Sequence, residues 1–128
     1  MKKIRIFCLA LLAAFVLSSC HTEDKTTPEY ATETFVDAFY TADFNTMYKC
    51  TPKNYHPIIE QMQRAMNKNK TKFEQIKENE VEILETTCVS QNDSVAQCEC
   101  HFKYNGMERK VTYVLCKEDG KWLVDLTI

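Results

Sequence analysis

The sequence predicts an α+β fold in which N-terminal helices pack on a curved antiparallel β-meander. In the first half of the chain apolar residues recur every three or four positions, and from Val81 onward they alternate, so the period falls from 3.6 to 2. The dipeptides Asn105-Gly106 and Asp119-Gly120 each separate two alternating runs, where a tight hairpin wants two residues of positive φ. With only two glycines and three prolines beside 11% aromatics, the chain has neither a low-complexity nor a disordered body.

Folded structure is expected to begin at Thr27-Pro28-Glu29. Thr27 can cap a helix, Pro28 suits its first position and Glu29 favours the dipole there. Ala31, Phe35, Ala38 or Phe39, and Ala42 then give one apolar face, predicting a helix over Pro28 to Ala42. Asp43 reads as the cap of a short second helix carrying Phe44, Met47 and Tyr48. A third helix is expected near Pro57, with Ile58 or Ile59, Met62, and Ala65 or Met66 as its buried stripe, ending at Asn67–Lys70. Thr71-Lys72-Phe73-Glu74 has capping-box spacing and predicts a short fourth helix with Phe73 and Ile76.

Val81 to Ser90 reads as the first strand, with Gln91-Asn92-Asp93 as its turn and its register left open. Val95 to Tyr104 alternates clearly. Ala96, Cys98, Cys100, Phe102 and Tyr104 share one face, and Gln97, Glu99, His101 and Lys103 the other. The Asn105-Gly106 turn sets Tyr104 opposite Met107, Cys100 opposite Val111 and Cys98 opposite Tyr113. Asp119-Gly120 sets Leu115 opposite Val124, Tyr113 opposite Leu126 and Val111 opposite Ile128. Both registers agree on which face is apolar. The outer face carries Val114, Cys116 and Leu123 among Thr112, Asp125 and Thr127. A helix end covers it, a second copy of the chain pairs through it, or it is a modest exposed patch.

The first twenty residues read as an export signal. Lys2, Lys3 and Arg5 precede an almost unbroken apolar run from Ile4 to Leu17, too short for a comfortable membrane span. Leu17-Ser18-Ser19-Cys20 closes it. That tetrapeptide resembles the lipobox of bacterial lipoproteins, in which the cysteine thiol takes a diacylglycerol and small residues admit the signal peptidase. The resemblance implies a signal peptide over 1–19, a lipidated Cys20 (palmitate is a typical acyl chain), and a tether over 20–27 leading to one domain over 28–128. It also implies the cell envelope, most readily the outer membrane, periplasmic or surface-facing, because His21 is not an inner-membrane retention aspartate. The alternatives are an ordinary secretory signal with an incidental Cys20 and an uncleaved N-terminal anchor, which would need a longer apolar stretch. His21 to Thr27, fully extended, would span about 25 Å.

The signal carries three of the 16 basic residues and none of the 18 acidic ones, so the remaining 109 residues have a net charge of −5. That balance, without a basic cluster in sequence, argues against nucleic acid or an anionic lipid surface as partner. A chain of this size makes one domain with a real core. Beyond Cys8 and Cys20 five cysteines remain: Cys50, Cys88, Cys98, Cys100 and Cys116. Their odd number leaves at least one thiol free or paired between molecules. Cys88–Cys98 has a slight lead as a disulfide if the first turn contains a bulge. Cys50 could instead reach the inner face or Cys116, and the thiols could also all be core hydrophobes.

Helices followed by a meander that closes on Lys117-Glu118-Asp119-Gly120-Lys121-Trp122-Leu123-Val124-Asp125 resemble the cystatin-like cone of the nuclear transport factor 2-like superfamily. With the lipobox and the Pro28-to-Ala42 helix followed by Asp43-Phe44, the chain is similar to small Gram-negative lipoproteins bearing an uncharacterised domain of that fold. The resemblance implies a fold and a location without a settled activity. Cone-lining positions are Cys100, Phe102, Tyr104, Tyr113, Leu115, Trp122, Val124 and Leu126.

Cys98-Glu99-Cys100-His101 lacks metal-ligand spacing, and alternation sends its histidine away from its cysteines, so no metal or cofactor is expected. Enzymes of the superfamily place an aspartate or histidine with a tyrosine inside the cone. The readable inner face offers tyrosines only, with Glu82 ambiguous, so no catalytic residue is assigned. His56 and His101 read as surface residues. The expected function is therefore a non-catalytic module for a small ligand or an envelope protein. A small isomerase- or hydratase-like enzyme, with its pocket inside the cone, is the alternative.

Overall fold

The computed structural model describes residues 25–126. Cys20 and the signal, most of the tether, and Ile128 with its expected pairing to Val111 lie outside the described residues. Among the described residues four α-helices, α1 (Pro28–Tyr40), α2 (Phe44–Cys50), α3 (His56–Asn67) and α4 (Lys70–Lys77), precede four strands, β1 (Val81–Asn92), β2 (Val95–Tyr104), β3 (Met107–Glu118) and β4 (Lys121–Asp125). The strands form one antiparallel sheet in the order β1-β2-β3-β4.

The helix boundaries follow from identifiable caps. The Thr27 hydroxyl accepts from the Tyr30 amide at 3.1 Å, and Pro28 occupies the first turn. α1 stops at Tyr40, two residues before the expected Ala42. Ala42 adopts φ 56°, and the Asp43 amide reaches back to the Ala38 carbonyl at 2.9 Å, closing the helix with a left-handed residue. The Asp43 carboxylate accepts from the Thr46 amide (3.2 Å) and hydroxyl (2.7 Å), capping α2. A 3₁₀ turn over Lys53–Tyr55, unforeseen in the sequence, runs straight into α3 one residue before Pro57. Of the α3 stripe, Ile59 is buried while Ile58 is exposed. α4 is capped by Asn69, whose side chain accepts from the Lys72 amide at 3.1 Å, not by Thr71. Asn69 competes better than a residue already inside the helix because its carbonyl oxygen sits one turn before that orphan amide.

In the sheet, β2–β3 pairs Tyr104 with Met107, Cys100 with Val111 and Cys98 with Tyr113, and β3–β4 pairs Leu115 with Val124. Asn105, Gly106, Asp119 and Gly120 all have positive φ, as the two-residue turns require. Among the described residues the last pair of the β3–β4 ladder is Val114 opposite Asp125, and Leu126 beyond it packs against the core. β1 extends to Asn92 and turns at Asp93-Ser94, one to two residues later than expected. The Asn92 side chain accepts from the Ser94 amide at 2.7 Å, which holds this turn. Register shifts fall at Ile83/Glu85 and Ser90/Asn92. The first changes the inward set from Val81 and Ile83 to Thr86 and Cys88, and a strand whose parity changes midway shows no clean alternation in sequence.

Helix α1 lies across the inner face of the sheet. The Phe35 ring meets Tyr113 edge-on at 5.3 Å between centroids, and Tyr40 sits 5.1 Å from Phe102 and 5.0 Å from Tyr104. Ala96, Cys98, Cys100, Phe102, Leu115 and Val124 have no solvent exposure. The outer face is divided: Val114 is 43% exposed, whereas Leu123 is buried. The Tyr55 hydroxyl donates to Asp125, two residues along β4 on that same face, so the 3₁₀ turn closes over this edge of the sheet.

Candidate functional site

The eight expected cone-lining residues do not enclose one open space. Cys100, Phe102, Leu115 and Val124 are sealed under α1, and Tyr104 and Tyr113 are partly buried against its aromatic side chains. Burial pushes the Tyr113 phenol upward, reinforced by Tyr40 and Cys100 beside it. Glu82, ambiguous in sequence, is exposed and faces outward opposite Lys103.

Trp122 has a different environment. It lines a concave groove of about 430 Å³ at the end of the sheet, between the N-terminal turns of α1, the C-terminal turn of α2 and the β3–β4 hairpin. Tyr30, Ala31 and Thr34 come from α1, and Thr46, Lys49 and Cys50 from α2. Gly120 and Lys121 come from the hairpin, and Lys25 and Thr26 from the segment entering α1. The α1 side chains line it because a helical face repeats every three to four residues, the same spacing that sends Phe35 and Ala38 into the core. Gly120, at φ +78°, makes the tight turn that brings Lys121 and Trp122 back over the groove.

The groove is electropositive although the chain is acidic. Lys25, Lys49 and Lys121 line it, and the Lys117 ammonium stands 5.5 Å from the centre of the Trp122 ring. Lys25, Lys49 and Lys121 lie far apart in sequence, so no charge run announces them. Cys50 is buried in the same groove, and desolvation, reinforced by Asp43, pushes its thiol up to about 11 against the opposing pull of Lys121 and, more weakly, Lys49. A second concavity, lined by Tyr30, Glu33, Thr34, Asp37, Asp43 and Thr46, meets the groove along α1. There burial, with Asp43 nearby, raises the Asp37 carboxyl above its ordinary range.

The cysteines separate by environment. Cys88 and Cys98 oppose one another across β1–β2 and are joined as a disulfide. Cys50, Cys100 and Cys116 are free thiols. Burial raises the Cys100 thiol, with the Thr86 hydroxyl at 3.7 Å opposing the shift and Glu33 adding to it. Among the described residues no cluster of three or more His, Cys, Asp and Glu side chains could hold a metal ion.

The two histidines behave differently from one another. His101 points outward and its Nε2 lies 2.8 Å from Glu108 on the neighbouring strand. His56 is not an exposed capping residue. Its Nε2 lies 2.9 Å from the Tyr48 carbonyl and 3.3 Å from that of Thr51, and its ring packs edge-on against Tyr48 at 5.0 Å. As the donor to those acceptors it ties the start of α3 to the C-terminal end of α2, whose last carbonyls have no helical partners.

No protein-family model matches the chain. No curated protein sequence matches it. Among solved structures it is similar to a Campylobacter jejuni protein named as a candidate NTF2-like transpeptidase, with a TM-score of 0.52 and 20% sequence identity over 79% of this chain and 99% of that one. With its helices laid on a four-stranded antiparallel meander, the chain has an α+β fold like that of this NTF2-like structure.

Proposed function

We propose that this protein is a lipid-anchored envelope lipoprotein whose domain is a non-catalytic ligand-binding module, and that the groove beside Trp122 is its binding site. The observation carrying this reading is the contrast between a sheet interior filled by α1 and a concave, lysine-rimmed groove at its end. Ligand sites combine apolar walls with a few convergent polar groups. Here Trp122, Tyr30 and Ala31 supply the walls and the lysines the polar groups.

The alternative, an isomerase- or hydratase-like enzyme working inside the cone, needs an acid or base within reach of substrate. Tyr113 packs edge-on against Phe35 beneath α1, which fills the space a substrate would need, and Glu82 faces away from the interior. Acyl transfer of the kind named for the Campylobacter protein needs an activated nucleophile. The Cys50 thiol, at about 11, is almost wholly protonated at neutral pH and works against that role.

The anchor rests on the Leu17-Ser18-Ser19-Cys20 motif and on geometry. Lys25, on the groove, is five residues after Cys20, and five residues span at most about 18 Å, which bounds the distance from the groove to the acylated residue. Metabolic labelling with an alkyne-tagged palmitate, followed by fractionation, tests this reading. Labelled wild type in the outer-membrane fraction, with unlabelled Cys20→Ser released from it, is the expected result. Equal membrane retention of an unlabelled Cys20→Ser protein would overturn it.

A further inference from the structure

The groove has a chemical character specific enough to name its ligand class, an inference that rests on the binding reading above. Its basic groups converge from three separate segments: Lys25 before α1, Lys49 at the end of α2 and Lys121 at the start of β4. Among the charges acting on the Cys50 thiol Lys121 is the strongest, lowering its pKa against burial, with Asp43 opposing it and Lys49 adding to it more weakly. The positive potential of the lysines is therefore felt within the groove and not only in solvent. The walls between them are aromatic and apolar, with Trp122 and Tyr30 beside Ala31. In a chain with a formal net charge of −2, this concentration of cations around an indole differs in sign from the rest of the molecule.

We propose that the groove binds an organic anion with a flat apolar body, its carboxylate held between Lys49 and Lys121 and its ring against Trp122 and Tyr30. A small inorganic anion would leave the aromatic walls unused, and a neutral aromatic would leave the ammonium groups unpaired. A cation is repelled. The volume of about 430 Å³ accommodates a body of one or two rings.

The chain has a single tryptophan, so indole emission reports on this groove alone. The test titrates full-length protein in nonionic detergent with 3-phenylpropanoate, exciting at 295 nm, where the probe does not absorb. Matched 3-phenylpropan-1-ol and 3-phenylpropylamine are titrated in parallel. A saturable change in Trp122 emission with the acid is expected, together with at least tenfold weaker binding of the alcohol and the amine. Lys49→Gln and Lys121→Gln should each weaken the acid by about fivefold, and Lys121→Glu by more, with unchanged far-ultraviolet circular dichroism. Equal binding of all three compounds, or full acid affinity in the lysine variants, would overturn the anion assignment and leave the groove as a binding site. If none of the three compounds alters Trp122 emission, the binding reading of the groove falls with it.

Discussion

At the scale of single residues, hydrogen bonds to buried or unpaired backbone groups decide which polar side chains matter. His56 donates to two carbonyls at the end of α2 and packs on Tyr48, whereas His101 makes one partly exposed pair with Glu108. His56→Ala is therefore expected to cost about 1–2 kcal/mol in urea unfolding, and His101→Ala less than about 0.5 kcal/mol. The sequence places both histidines at the surface because it does not show that the 3₁₀ turn folds His56 back onto α2. Cys50 gives a pH signature. Folding favours its neutral thiol, so its contribution is fully present below pH 9.0, the ordinary cysteine value, and is lost as pH rises through about 11. The difference in urea midpoint between wild type and Cys50→Ala should be constant from pH 7 to 9 and shift against the wild type above that, by comparison of the two proteins in the same buffers.

At the scale of elements, local signals with a mechanism were readable and those set by tertiary contact were not. The β2–β3 and β3–β4 registers follow from strict alternation plus Asn105-Gly106 and Asp119-Gly120, and the structure pairs Cys98 with Tyr113 and Leu115 with Val124. β1 was illegible in register because its bulge at Leu84 changes the face that Val81 and Ile83 establish. The capping-box pattern points to Thr71 as the cap of α4, whereas Asn69 supplies the acceptor. Asn69→Ala should lower stability by about 1 kcal/mol and Thr71→Ala by much less, measured by thermal or urea unfolding. Gly106→Ala meets open space but keeps φ at +86°, so its cost is conformational. About 1 kcal/mol is expected, with no change in the β2–β3 pairings seen by amide exchange. The β1–β2 disulfide joins residues ten apart in sequence. On loop entropy, replacing both Cys88 and Cys98 by alanine should cost about 2–3 kcal/mol. Alkylation of the unfolded oxidised chain should modify Cys50, Cys100 and Cys116 and spare Cys88 and Cys98 in mass spectrometry.

At the scale of the whole molecule, packing decides where a ligand has room. α1 fills the inner face through Phe35, Val36 and Tyr40, and what stays open is the end of the sheet, where the α1 N-terminus, the end of α2 and the β3–β4 hairpin meet. The sequence identified Trp122 as inward-facing, and the structure separates it from the sealed residues Phe102, Leu115 and Val124. The electropositive character of the site could not be read from sequence. Lys25, Lys49 and Lys121 are isolated lysines in an acidic chain until the fold gathers them. The same gathering changes the expected partner. An acidic net charge argues against nucleic acid or an anionic lipid surface, but a local field of the opposite sign governs which small molecule docks in the groove. A crystal structure of the protein grown with 3-phenylpropanoate tests the central claim most directly, because it locates the ligand. The account predicts its density against Trp122 with the carboxylate at Lys49 and Lys121, and Phe35 still edge-on to Tyr113. Density between α1 and the sheet, with Phe35 displaced from Tyr113, would contradict it.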